Sequence, residues 1–140
     1  MVTKFGTAKW QGGIKDGRGE ISTESGALSG QPYGFNMRFE GVKGSNPEEL
    51  IGAAHAACFS MALSKILGDA GVTDVTIDTR SDVSLDKEGD GFAIKTVKLT
   101  TTISGKGDEA TILKAAEAAK SGCPVSKLLN AEISMDAKVV

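Results

Sequence analysis

The segment NPEELIGAAHAACFSMAL, from Asn46 to Leu63, places a cysteine and the chain's single histidine inside its most apolar stretch, with two glutamates at its front. A helix that only filled a core would need none of these groups, and burying polar groups without partners is costly. His55 and Cys58 are three residues apart, which makes them neighbours on a helix. That spacing raises a Cys–His nucleophile pair of the kind thiol hydrolases use. Against it, a lone helical histidine is more often a packed core residue. Cys58 itself reads either as a small apolar filler or as a reactive thiol, since free cysteine is among the most buried residue types. The second cysteine, Cys123, stands immediately before Pro124 at an expected helix start. Backbone N–H groups at such a position favour a thiolate, or the residue is an inert N-cap. On chemistry alone both readings stay open for each cysteine, and a reactive pair is suggested.

Other chemistries find less support. A zinc site needs about four ligands, usually Cys and His at short spacing, whereas this chain has two distant cysteines and one histidine. No metal or cofactor is expected. The glycine-rich pieces DGRGEIST and SGKGDEAT match neither a phosphate-binding loop nor a dinucleotide fingerprint, because the spacings fail. They read as turns.

The elements that must position these residues follow from pattern. TKFGTAKW, GEIST and YGFNMRFEGV alternate apolar and polar residues between glycine-rich or proline-containing breaks and predict strands. Asn46 as N-cap, Pro47 at the first helical position and Glu49 at the third predict a helix start. Gly68 or Gly71 would end that helix. VTIDTRSDVSLDK and GFAIKTVKLTTTI predict a long hairpin around EGDG. DEATILKAAEAAKSG predicts a second amphipathic helix, PVSKLL a short helix opened by proline, and AEISMDAKVV a last strand. Two blocks of strands with helices between them imply an α+β fold in a single domain, residues 1–140.

Composition agrees with an ordinary globular domain, at 40% apolar and 24% charged. A formal charge of -2 without a basic patch argues against nucleic acid or an anionic membrane as partner. MVTKFGTAKWQGG has no apolar run after its charges, so no signal peptide is expected and the expected compartment is the cytoplasm. The apolar-rich stretch Ile51 to Leu67 is interrupted by His55, Ser60, Ser64 and Lys65 and is short of the roughly 20 residues of a membrane span. It reads as a core helix. In a reducing compartment two cysteines are more often free thiols, a redox pair or ligands than a permanent disulfide.

Through NPEELIGAAHAACFSMAL and SGCPVSKLL the sequence resembles the OsmC/Ohr family of cysteine-based peroxidases acting on organic hydroperoxides, most closely the OsmC branch (osmotically inducible protein C). STESG, QPYGFNMRFEG and SDVSLDK occur in the order the resemblance requires, so it extends over essentially the whole chain. The resemblance implies antiparallel sheets around a long central helix and a second helix, in an intertwined homodimer. It implies Cys58 as the peroxidatic thiolate and Cys123 as the thiol that resolves its sulfenic acid. It also implies an arginine and a glutamate beside the reactive cysteine, with Glu48 at the glutamate position. The OsmC branch takes its arginine from the RFEG segment, read here as strand, which gives Arg38. The Ohr branch uses an earlier loop, which gives Arg18, and Arg38 is favoured. An external thiol or dithiol, such as a lipoyl protein or a thioredoxin-like protein, would complete the cycle. The rival readings are a non-enzymatic stress protein or small hydrophobic ligand-binding protein, and a Cys–His hydrolase.

These residue types suit that chemistry. An ordinary thiol with pKa ~8.5 is only a few per cent ionised at pH 7. Lowering it by about two units takes roughly 2.7 kcal/mol of selective thiolate stabilisation. A guanidinium supplies charge and directed donors and stays charged when desolvated. It also favours the negative charge that develops on the departing peroxide oxygen. Glutamate would orient the arginine, Phe59 and Met61 would wall an alkyl pocket, and His55 would be dispensable for peroxidase activity. Glu48 and Cys58 are ten residues apart, or ~15 Å along a straight helix. The small residues Gly52, Ala53, Ala54, Ala56 and Ala57 lie between them. Two copies crossing antiparallel near Ala53 would bring Glu48 of one towards Cys58 of the other. Glu49 would serve only the helix start.

Overall fold

A computed structural model describes residues 1–140. The chain divides into two compact units, Met1–Leu50 and Ile51–Val140.

The first unit holds a three-stranded antiparallel sheet in the order β1 (Gly6–Gln11), β2 (Arg18–Thr23), β3 (Gln31–Tyr33). Gly19 on β2 is a packing requirement. A Cβ there would lie 2.2 Å from the Tyr33 ring and 2.8 Å from the Trp10 ring, and these two rings pack against each other at 5.5 Å. The segment after Tyr33 corrects the sequence reading, because YGFNMRFEGV does not continue as a strand. It forms a short helix, α1 (Phe35–Phe39), with Arg38 in its last turn. Phe35 and Phe39 are four residues apart, and helical winding brings their rings to 4.9 Å. An extended chain would have separated them.

Helix α2 runs unbroken from Pro47 to Asp69. Its start is the expected cap: Asn46 Oδ1 accepts the Glu49 N–H at 2.8 Å, and Asn46 Nδ2 donates to the Glu49 carboxylate. By length and composition alone its 23 residues are enough to cross a membrane, a test that the core helix of a folded domain also meets. One face, formed by Gly52, His55, Phe59, Leu63 and Leu67, is nevertheless buried inside the protein.

In the second unit β4 (Thr73–Glu88) and β5 (Gly91–Lys106) form the long antiparallel hairpin, with Gly89 in the turn at φ 58°. After the crossover through α3 (Glu109–Gly122) and α4 (Pro124–Leu128), β6 (Glu132–Val139) joins β5 in parallel. The sheet is therefore mixed, where antiparallel pairing was expected. A parallel pair needs a crossover connection too long for a tight turn, and α3 and α4 supply it. Val97, Leu99, Thr101 and Ile103 point inward from β5 at period two. The core is Val72, Leu99 and Ile103 with Phe59, Leu63 and Leu67 of α2, Ile112, Ala115, Ala116 and Ala119 of α3, and Cys123. Burial of these side chains, at about 25 cal/mol per Å² of apolar surface, fixes α2 and α3 over the sheet.

Candidate active site

The first unit joins two of the expected residues. Arg38 Nε lies 3.0 and 3.1 Å from the two Glu48 carboxylate oxygens, and a terminal guanidinium nitrogen lies 2.7 Å from Oε1. This is the bidentate geometry in which arginine holds a carboxylate most firmly. Glu48 is nearly buried, at 13% side-chain exposure, while Arg38 keeps 36%. The guanidinium also stacks on Phe39 at 5.4 Å. It borders an apolar cavity of about 280 Å³ lined by Trp10, Ile14, Tyr33, Phe35 and Phe39. Arg18 is exposed at the start of β2 and lines a separate, more polar hollow with Lys9, Lys15 and Glu40.

The second unit joins the two cysteines. Both are free thiols, Cys58 half-buried on α2 and Cys123 fully buried at the end of α3. Burial pushes the Cys58 thiol up from its ordinary value. A hydrogen bond with the Val125 backbone pulls the other way, and the bond and charge of Cys123 push up again. Cys123 is the N-cap of α4: its sulfur accepts the Ser126 N–H at 3.3 Å. Of the residues expected to wall an alkyl pocket, Phe59 is fully buried in the core and Met61 is 77% exposed. Phe59 is thus a packing residue, because it falls on the inward stripe of α2 with His55 and Leu63.

His55 is also fully buried, with both ring nitrogens taken by serine hydroxyls. Nε2 lies 2.8 Å from Ser126 Oγ, and Nδ1 lies 3.3 Å from Ser81 Oγ. The Cys–His hydrolase reading therefore lacks its defining bond. Gly52, one turn before His55, makes this placement possible: a Cβ there would lie 3.0 Å from the Ser81 carbonyl oxygen. Sequence reasoning missed Ser126, Ser81 and the Val125 backbone. Ser126 carries a local signal, since it stands three residues after Cys123, where an N-cap side chain meets a backbone N–H.

A family model described as OsmC-like protein matches residues 40–138. The chain belongs to the OsmC-like family. It is 59% identical over 136 residues to peroxiredoxin OsmC of Escherichia coli strain K12, covering 96% of this chain and 95% of that protein. It is 29% identical over 123 residues to the organic hydroperoxide resistance protein OhrB of Bacillus subtilis strain 168, covering 86% and 89% of the two chains. The crystal structure of Bacillus subtilis OhrB superposes with a TM-score of 0.68 at 27% identity, over 96% of this chain and 98% of that one. An OsmC-like protein of unknown function from Vibrio cholerae superposes at 0.75 with 15% identity, over 98% and 99% of the two chains, a likeness of fold alone.

In this OsmC-like protein the buried histidine has a consequence for stability. Burial lowers the His55 pKa from its ordinary 6.5, so the folded state holds it neutral where the unfolded chain binds a proton. The unfolded state then binds more protons below about pH 6.5, and stability rises with pH there. The His55 contribution is complete above that value and is lost as pH falls towards the folded pKa. Urea midpoints should therefore decline between pH 7 and 5.5, with a slope for this one proton of at most about 1.4 kcal/mol per pH unit. His55→Gln should flatten the decline. Equal slopes in the two proteins would show that other groups set it.

Proposed function

We propose that this chain is a thiol peroxidase that reduces organic hydroperoxides to alcohols. The observation that carries the reading is the meeting of Cys58 and Cys123, each from its own motif, beside the Val125 backbone. The identity to a protein named peroxiredoxin OsmC supports it. In this reading the Cys58 thiolate attacks a peroxide oxygen, the O–O bond breaks, and the alkoxide takes a proton to leave as alcohol. Cys58 is left as sulfenic acid. Cys123 displaces its hydroxyl to form a disulfide, and an external thiol or dithiol restores both thiols. The aromatic cavity beside Arg38 suits an alkyl group better than hydrogen peroxide.

Within its own unit Cys58 is pushed towards the neutral thiol, so the site needs a cation. The Arg38–Glu48 pair has the geometry to provide one. We infer that it does so across a homodimer, from one copy to the Cys58 of the other. The face of α2 bearing Ala53, Ala54, Ala57 and Met61 is exposed in the single chain and is small and apolar enough for close helix packing. Consumption of cumene hydroperoxide with a dithiol reductant tests the activity. Peptide mass spectrometry after one equivalent should show a Cys58–Cys123 disulfide within one subunit. A linkage found only between subunits would overturn the pairing, and absence of consumption would overturn the function.

A further inference from the structure

Four side chains form one hydrogen-bonded chain behind the second cysteine, buried at Cys123, Ser126 and His55 and half-buried at Ser81. The Cys123 thiol donates to Ser126 Oγ at 3.1 Å. Ser126 Oγ meets His55 Nε2 at 2.8 Å, and His55 Nδ1 meets Ser81 Oγ at 3.3 Å. Cys123 and His55 are fully sealed from water, and Ser126 is 8% exposed. The chain has one consistent direction when Cys123 is a thiol. S–H donates to Ser126, the Ser126 O–H donates to Nε2, and Nδ1–H donates to Ser81. It has an equally complete second arrangement when Cys123 is a thiolate. Nε2–H of an imidazolium then donates to Ser126, and the Ser126 O–H turns to the sulfur, joining the Ser126 backbone N–H already there. Every donor has an acceptor in both states, so moving the proton leaves no buried group unpaired.

We propose that His55, acting through Ser126, is the base that deprotonates Cys123 for closure of the Cys58–Cys123 disulfide. The proposal rests on the thiol peroxidase reading and gives His55 and Ser126 a positioning role in its second step. The thiol proton passes to Ser126 as the serine proton passes to His55 Nε2. The electron pair freed on Cys123 sulfur forms the S–S bond, and the S–O bond of the Cys58 sulfenic acid breaks, its pair leaving with oxygen. The hydroxide takes a proton from solvent at half-buried Cys58 and departs as water. Cys123 sulfur is oxidised, Cys58 sulfur is reduced, and the sulfenic acid is the oxidant. When the external thiol later reopens the disulfide, His55 returns its proton to the departing Cys123 thiolate.

Burial alone lowers His55, which keeps it neutral and able to accept at pH 7. The titratable groups facing it are Cys123 through Ser126 on α4 and Cys58 on its own helix. On β4, Arg80 and Asp82 flank Ser81 but are exposed and pair with each other at 2.6 Å. An ordinary thiol is about 3% ionised at pH 7, so a base that completes its ionisation is worth at most about thirtyfold.

The experiment uses the full-length protein with one equivalent of cumene hydroperoxide. Alkylation and trapping with a cyclic 1,3-dione at timed intervals separate thiol, sulfenic acid and disulfide. His55→Gln keeps an acceptor for Ser126 but no useful base, Ser126→Ala breaks the chain, and Ser126→Thr restores the hydroxyl. Cys58 oxidation, which the chain does not serve, should proceed within about twofold of wild type, while closure slows about tenfold or more in His55→Gln and Ser126→Ala. Closure should be flat from pH 7 to 8 in wild type and rise about tenfold per pH unit in His55→Gln, as hydroxide takes over. Ser126→Thr should close at a rate near wild type. Normal Cys58 oxidation with unchanged closure in both variants overturns the relay and leaves the peroxidase reading standing. So does slower closure with the wild-type pH profile, which marks a packing role. A wild-type closure rate that itself follows hydroxide overturns the relay without any variant. Failure of wild-type Cys58 to oxidise overturns the peroxidase reading and the relay with it.

Discussion

Cys58→Ser is expected to abolish hydroperoxide turnover, and Cys123→Ser to leave one round of it. The two thiols occupy different positions for that chemistry. Cys58 is half-buried and can be reached by a substrate, whereas Cys123 is sealed beneath it with its sulfur capping α4. A serine hydroxyl at position 58 is neither ionised at neutral pH nor nucleophilic enough to attack a peroxide, so nothing replaces the thiolate. Cys123→Ser leaves Cys58 intact. One equivalent of alcohol per chain should form without reductant, and Cys58 should stop at the sulfenic acid. Further peroxide should carry it to sulfinic acid, which ordinary thiols do not reverse. Wild type should be protected, because the disulfide closes first. Alcohol yield and intact mass measure both outcomes. If Cys123→Ser instead blocks the first oxidation while Cys58→Ser retains it, the two roles are reversed.

How much of this was legible in the sequence depended on the distance over which each feature is decided. The cap of α2 was readable because Asn46, Pro47 and Glu49 are neighbours, and the β4–β5 hairpin because its alternation is long. Segment 33–42 was misread because apolar alternation over so few residues fits strand or short helix, and the contact of Phe35 with Phe39 decided it. The parallel entry of β6 follows from the path through α3 and α4, which no local pattern encodes. Cys58 and Cys123 stand out through their own motifs, and Arg38 and Glu48 through the resemblance to the family. The link from His55 to Ser126 spans 71 residues, and only the fold brings those side chains together. The position of His55 on the inward stripe of α2 was readable, but its partners were not.

Mixing Glu48→Ala chains with Cys58→Ser chains should restore activity that neither has alone. Glu48 fixes Arg38 through two parallel hydrogen bonds. Losing it frees the guanidinium to swing from the geometry in which it would hold a thiolate. Removing the cation entirely, as in Arg38→Ala, should slow Cys58 oxidation about 20- to 30-fold at pH 7, the gain in ionised fraction when an ordinary thiol's pKa falls by about two units. The location of the pair then becomes testable. Glu48 and Cys58 lie on one unbroken helix, and the ~15 Å of rise over ten residues keeps Glu48 from serving its own cysteine along that helix. In the proposed dimer Glu48 of one copy serves Cys58 of the other. A mixed dimer then has one site with both defects and one with neither. Random pairing of equal amounts makes half the dimers mixed, so about one quarter of all sites should be intact. If each site were built within one chain, every site in the mixed dimer would carry one defect and nothing would return. Subunit exchange is established first, by mass spectrometry of isotopically labelled chains. With exchange complete, recovery near one quarter of wild-type turnover supports sites shared between copies, and no recovery overturns them.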